Sequence, residues 1–137
     1  MNPRIEIDYN DIVEEGNRYF QRGDYACAMT FFLDAFRICP ESPVVLFNVG
    51  RAMEELGDMK AEDFYLAAIN KGSTDAQYQL GVYYASIGRK EDAVDTLKGF
   101  LRAGLPPDEW SKHARVVLKR LGAGELELVW KNPKIIS

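Results

Sequence analysis

The sequence predicts an all-α fold, a solenoid of three helical hairpins followed by a seventh, capping helix. The first observation is a turn signal, Gly-Asp at 23–24 and again at 57–58, where glycine can adopt a positive φ and aspartate can cap the next helix. The second is an apolar face at i, i+4 and i+7 after the first turn, formed by Ala28, Phe32 and Ala35. The third is a step of 34 residues between Gly16 and Gly50, which indicates a repeat.

Composition excludes several classes of protein. The 137 residues indicate one domain, and the net charge of −4 argues against non-specific nucleic-acid binding. Residues 1–106 hold 11 basic and 17 acidic residues, whereas residues 107–137 hold 6 and 4, so the C-terminal part is locally basic. No apolar run approaches ~18 residues and the N-terminus lacks the pattern of a signal peptide. We therefore predict no membrane span and a cytoplasmic location.

The first copy of the pattern covers residues 9–42, with helices predicted at about 10–22 and 25–38. Small residues such as Gly16 let the two helices approach closely, and Tyr19 and Phe32 fill the space beside them. Pro40 ends the second helix. Residues 1–8 precede the first helix as a frayed or extended lead-in.

The second copy covers residues 43–73 and the third covers residues 74–107. Ser42 is the predicted N-cap of the second copy and Pro43 its first helical residue. Its first helix, at about 44–56, has Leu46, Val49, Gly50 and Met53 on the inner face, and its second helix has Ala61, Tyr65 and Ala68. The third copy repeats the pattern with Leu80, Gly81, Tyr84, Ala93, Leu97 and Phe100.

A last helix is predicted at 108–121, ended by Gly122. Trp110, Ala114 and Val117 match a first-helix pattern, but no second helix follows, which is typical of a helix that caps a solenoid. The tail, residues 122–137, has Leu126, Leu128 and Trp130 on one side of an extended chain. Docking of this tail on the repeats or on a neighbouring molecule, and simple disorder, both remain open.

These glycine, alanine and aromatic positions resemble the tetratricopeptide repeat family, and Ala76–Tyr84 also resembles Sel1-like repeats. The resemblance implies a right-handed α-α superhelix over residues 1–121. It also implies a non-catalytic interaction module that binds a peptide or helix of a partner on its concave surface.

No catalytic, cofactor or metal site is predicted. The glycines form neither a GxxxxGK[ST] nor a GxGxxG motif, and His113 is the only histidine. Cys27 and Cys39 are twelve positions apart on one predicted helix, roughly 18 Å, which is beyond disulfide reach. We expect both to be buried, inert thiols.

Carried over residue by residue, the resemblance implies a peptide-binding groove lined by Val13, Asn17, Phe20, Phe47, Asn48, Arg51, Tyr78, Gln79 and Val82. Phe47 and Tyr78 either anchor apolar side chains of the ligand or belong partly to the core. The two asparagines can donate to and accept from a peptide backbone, and Arg51 can pair with a carboxylate. Basic residues at i, i+3 and i+7 on the last helix form either a basic groove end or an ordinary solvated face: Lys112, Arg115 and Lys119.

Chaperone-binding members of the family grip a C-terminal carboxylate with two asparagines and three basic residues. Asn17 and Asn48 match the asparagines, but Val13, Asp75 and Gln79 stand where the basic residues belong. Without those cations the charge-assisted hydrogen bonds to a carboxylate are lost. The sequence therefore predicts no binding of an EEVD-type chaperone tail. The alternative function is an assembly protein that forms a homo-oligomer through its repeats or its apolar tail.

Overall fold

The computed structural model of the chain describes residues 8–103 and 109–122. Over these residues the backbone forms seven helices and no strand: α1 Tyr9–Gln21, α2 Tyr25–Ile38, α3 Pro43–Glu55, α4 Ala61–Asn70, α5 Thr74–Ser86, α6 Lys90–Arg102 and α7 Glu109–Arg120. The all-α prediction is confirmed. Within the described ranges, none of the helices combines the length and apolar character needed to span a membrane.

The chain divides into two compact units between Ser73 and Thr74, the predicted boundary between the second and third copies. In the first unit, α1 packs on α2, α2 on α3 and α3 on α4, and α1 also contacts α3. In the second unit, α5 packs on α6, and α7 contacts both of them. Consecutive helices thus form the predicted hairpins within each unit.

Each hairpin is closed by a glycine on one helix that faces a large side chain on the other. A Cβ added to Gly50 would lie 2.8 Å from the Tyr65 ring, and one added to Gly81 would lie 2.5 Å from the Leu97 side chain. Gly16 faces the ring of Phe32 in the same way. Because such distances are shorter than real Cβ contacts, only glycine permits these helix spacings. The predicted small-to-large pairing is confirmed.

The predicted turn and cap signals also appear in the backbone. Gly23 has φ +80°, a conformation that favours glycine, and Asp24 caps α2 by accepting a hydrogen bond from the Cys27 amide at 3.1 Å. Ser42 caps α3, with Pro43 as its first residue. The start of α4 differs, since it has no side-chain cap.

The prediction that both cysteines are buried is wrong. Cys27 is exposed and Cys39 is partly buried, and both are free thiols. Cys27 lies in the first turn of α2, next to Ala28, the first of the three residues that the helix buries. A hydrogen bond to the Asp24 carboxylate, together with the negative charge of that group, raises the pKa of the Cys27 thiol. The thiol is therefore not an activated nucleophile.

The buried face of α7 is rotated from its predicted position. Ser111, Ala114 and Leu118 are buried, whereas Trp110 is 55% exposed and Val117 is partly buried. Ala114 and Leu118 join a core cluster that contains Phe100 of α6. The bulk of Phe100, at a position that holds alanine in the other copies, is matched by the small side chain of Ala114.

Three sequence predictions fall on residues outside the described ranges. They are the lead-in over residues 1–7, the connection before α7, and the tail that carries Leu126, Leu128 and Trp130. Asp8 is described and caps α1 by accepting a hydrogen bond from the Asn10 amide at 2.9 Å.

Candidate functional site

The candidate site of the first unit lies between α1 and α3. Nη2 of Arg51 donates a hydrogen bond to Oδ1 of Asn17 at 2.9 Å and another to Oδ1 of Asn48 at 2.7 Å. Asn17 is on α1, and the other two residues are one turn apart on α3. Charged donors make hydrogen bonds stronger than neutral ones do, so the bond to Asn17 links α3 to α1, while the bond to Asn48 fixes the guanidinium group on α3 itself.

Two aromatic rings hold the same guanidinium group. The Cζ atom of Arg51 lies 4.3 Å from the ring centroid of Phe20 and 5.1 Å from that of Phe47, both within the range of a cation–π contact. We call these five residues the asparagine–arginine site: Asn17, Phe20, Phe47, Asn48 and Arg51. The structure brings five of the nine predicted groove residues together here.

The asparagine–arginine site fixes the orientation of both amides. A guanidinium group has only donors, so the oxygen of each carboxamide faces Arg51 and the nitrogen is turned the other way. Asn17 is partly buried and Asn48 is only 4% exposed. Each amide NH₂ group thus keeps its donors for a partner other than Arg51, and Asn17 is the more exposed of the two residues. The site is suited to a ligand that presents hydrogen-bond acceptors.

The ring of Phe47 is supported from behind by α4. It contacts the ring of Tyr65, with the two centroids 6.1 Å apart. The Tyr65 hydroxyl donates to Oε1 of Glu54 at 2.9 Å. Burial raises the pKa of Tyr65 far above its ordinary value, and the charge of Glu54 adds to the effect, so this phenol stays a neutral donor. Phe47 therefore packs against a tyrosine ring whose position is fixed by its own hydrogen bond to Glu54.

In the second unit, the predicted groove residue Tyr78 belongs to the core and is 6% exposed. Its ring contacts that of Phe100 at 5.5 Å and that of Trp110 at 4.9 Å between centroids. Its hydroxyl is hydrogen-bonded to Nδ1 of His113. Burial raises the pKa of Tyr78, so the phenol stays neutral.

Neither Trp110 nor His113 is among the residues that the sequence predicts to bind a ligand. The signal that could have found them is their i, i+3 spacing, which puts both on one side of α7.

The remaining predicted residues have varied exposure. Val13 is buried in the first unit, and Gln79 and Val82 are partly buried on α5. Lys112 and Lys119 are exposed and Arg115 is partly buried on α7, and a basic groove end formed by them stays a prediction. Among residues 8–103 and 109–122, no group of three or more His, Cys, Asp or Glu side chains is placed to hold a metal ion.

Solved structures of similar shape identify the fold of this chain. The first TPR domain of the human RPAP3 protein is similar to this chain with a TM-score of 0.72 and 22% identity, over 85% of this chain and 94% of that one. The chain has the fold of a tetratricopeptide-repeat domain. A second such domain, the first TPR of Spaghetti (RPAP3) bound to HSP90 peptide SRMEEVD, has a TM-score of 0.71 and 22% identity, over 87% of this chain and 99% of that one.

Comparison of sequences supports this tetratricopeptide-repeat fold less strongly than comparison of structures does. No model of a known protein family matches the chain. Cellulose synthase operon protein C from Komagataeibacter xylinus is 28% identical over 113 residues, which are 82% of this chain. The chain spans only 8% of the length of that relative. The Spaghetti complex also means that the comparisons do not support the prediction against an EEVD-type tail, which rests on this chain's residues alone.

Proposed function

We propose that the chain is a non-catalytic protein-interaction module that binds a peptide segment or helix of another protein. The binding surface of the first unit is the face that α1 and α3 form. The observation that carries the proposal is the pair of hydrogen bonds from Arg51 to Asn17 and Asn48, because they leave both amide NH₂ groups as donors.

A polypeptide supplies the acceptors that these donors need. Backbone carbonyl groups recur along an extended peptide, and each can accept a hydrogen bond from an asparagine amide. The charge of Arg51 favours carbonyl or carboxylate oxygens at this position over ammonium groups. Phe20 and Phe47 are partly buried and offer apolar surface for a neighbouring side chain of the ligand. The similar Spaghetti domain, which is bound to a peptide, supports this assignment by analogy.

A single substitution tests the role of the amide donors. Random peptides displayed on phage are selected against the full chain, and the strongest synthetic binder is titrated into wild type and Asn48→Asp by calorimetry. Aspartate keeps an oxygen facing Arg51 but replaces the NH₂ donor with an acceptor. We expect affinity to fall about tenfold or more, which is about 1.4 kcal/mol.

The matched control is Asn10→Asp, an exposed asparagine in the first turn of α1. It makes the same change of charge away from the asparagine–arginine site, and we expect the affinity of wild type. Asn17→Asp provides a second test at a more accessible position. If both site variants keep the melting temperature and the peptide affinity of wild type, the proposed binding face is wrong.

The same calorimeter tests the prediction against a chaperone tail. We expect the peptide SRMEEVD to show no micromolar binding, because Val13, Asp75 and Gln79 provide no positive charge at the positions where chaperone-binding relatives carry it. Micromolar binding of SRMEEVD would contradict this expectation and would leave the peptide-binding face itself in place.

A further inference from the structure

The second unit contains a cavity of about 490 Å³ lined by Tyr78, Glu109, Trp110 and His113. The rings of Tyr78 and Trp110 are in edge-to-face contact at 75°, with centroids 4.9 Å apart, and Trp110 is the exposed member of the pair. The hydrogen bond between the Tyr78 hydroxyl and His113 connects α5 and α7 beside these rings. We call these four residues the aromatic cavity. Its volume is in the range of small-ligand and side-chain pockets.

The charges around the aromatic cavity favour a cation. Glu109 supplies a carboxylate to its lining, and Asp75 lies one turn before Tyr78 on the same side of α5. The rotation of a helix, about 100° per residue, puts three basic residues of α7 on a different side from the lining residues: Lys112, Arg115 and Lys119. Arg120 is on the side of the lining residues but two turns beyond His113, at the other end of the helix. An anion in the cavity would meet Glu109, whereas a cation would meet that carboxylate and the exposed ring of Trp110, beside the largely buried ring of Tyr78.

The first unit shows how this chain places a cation against aromatic rings. Arg51 lies over the rings of Phe20 and Phe47. Phe47 precedes Gly50 by three residues, as Tyr78 precedes Gly81, and the position that corresponds to Arg51 is Val82. The second unit has an aromatic residue at the position that corresponds to Phe47, but no arginine at the position that corresponds to Arg51. In the part of the chain that the structure describes, the basic side chains that lie over aromatic rings lie over rings other than those of Tyr78 and Trp110.

We propose that the aromatic cavity binds an arginine or lysine side chain of a partner polypeptide. The cation lies against the exposed ring of Trp110, next to Tyr78, and pairs with the Glu109 carboxylate. This site is separate from the asparagine–arginine site, whose donors select acceptors. The ligand class is therefore a polypeptide with a basic side chain, and the site can be tested whether or not the first unit binds a peptide.

The test uses the indole N–H signal of Trp110 in the ¹H–¹⁵N spectrum of the full chain. The chain has two tryptophans, and the signal that is lost in Trp110→Leu assigns it. The probe is the blocked peptide Ac-Gly-Arg-Gly-NH₂, and its match is the same peptide with citrulline, which has the shape of arginine without its charge. We expect the arginine peptide to shift the signal and to bind about fivefold or more tightly than the citrulline peptide.

Two variants complete the test. Glu109→Gln keeps the shape of the side chain and removes its charge, so we expect the preference for arginine over citrulline to shrink to less than about twofold. The control, Glu91→Gln, removes an exposed first-turn carboxylate from α6, and we expect the preference of wild type. Equal titration by both peptides in wild type, or an undiminished preference in Glu109→Gln, would overturn the proposal. Either result leaves the Asn48→Asp experiment on the first unit unaffected.

Discussion

Helices α3 and α5 carry corresponding residues and use them differently. Both helices have a glycine that packs against the second helix of the hairpin, and the residues around it correspond at a spacing of 31: Phe47 and Tyr78, Asn48 and Gln79, Arg51 and Val82. In α3 the aromatic ring faces the chain's own arginine. In α5 the aromatic ring lines a cavity with an exposed tryptophan and a carboxylate.

The two helices share the glycine contact and the aromatic position, and they differ in charge at the single position of Arg51 and Val82. In α3, the arginine turns two asparagines into oriented donors. In α5, a valine at the corresponding position leaves the aromatic ring without that cation. The arrangement in the first unit is suited to hydrogen-bond acceptors, and the cavity of the second unit is the site where we propose that a cation binds.

The largest effect is expected at Gly50 and Gly81, because α3 and α5 both have a glycine where they pack against the second helix of the hairpin. Gly50→Leu forces a side chain into the Tyr65 ring and should lower the free energy of unfolding by about 1–3 kcal/mol. Gly81→Leu meets the fully buried side chain of Leu97 and should cost a similar amount. Urea unfolding measures both, with Ala26→Leu at an exposed position of α2 as the control. An unchanged stability of Gly50→Leu would mean that the pairing of α3 with α4 is wrong.

A smaller loss of stability is expected from Arg51→Met. The variant keeps an unbranched side chain between the rings but removes two charged hydrogen bonds and the cation–π contacts, so unfolding should become easier by about 1–2 kcal/mol. Arg22→Met is the control, because Arg22 is exposed and lies 5.8 Å from the ring of Tyr19. Equal denaturation midpoints for the two variants would show that Arg51 does not hold α1 and α3 together.

The smallest effect is expected from giving the second unit its own arginine. Val82→Arg puts a cation one turn after Tyr78, as Arg51 follows Phe47. If that side chain occupies the aromatic cavity, the arginine peptide should bind several-fold more weakly, by about 1 kcal/mol, in the Trp110 indole titration. Val82→Met, which is uncharged and unbranched, should bind it like wild type. If both variants bound the arginine peptide like wild type, the side chain at position 82 would not reach the aromatic cavity.

Most of the fold could be predicted because its signals are local. The Gly23 turn, the Ser42 cap and the pairing of Gly50 with Tyr65 follow from spacing and residue type. The exposed position of Trp110 could not be predicted in this way. It depends on which side of α7 covers Phe100, a contact between helices that residue spacing does not encode.

The sequence predicted which residues lie in the candidate site, but not the hydrogen bonds between them. The resemblance selected Asn17, Asn48 and Arg51, but their hydrogen bonds depend on the side-by-side packing of α1 and α3. A residue list cannot tell whether Arg51 faces a ligand or the two amides. That distinction determines which ligand groups we propose for the first unit.

The most direct test of the proposed function is to observe the asparagine amides themselves. In the ¹⁵N-labelled chain, the side-chain NH₂ signals of Asn17 and Asn48 can be followed while the phage-selected peptide is added. We expect both signals to move downfield as the amides donate to the peptide, with the signal of Asn10 unchanged. Saturation of binding with the Asn17 and Asn48 signals unmoved would contradict the account.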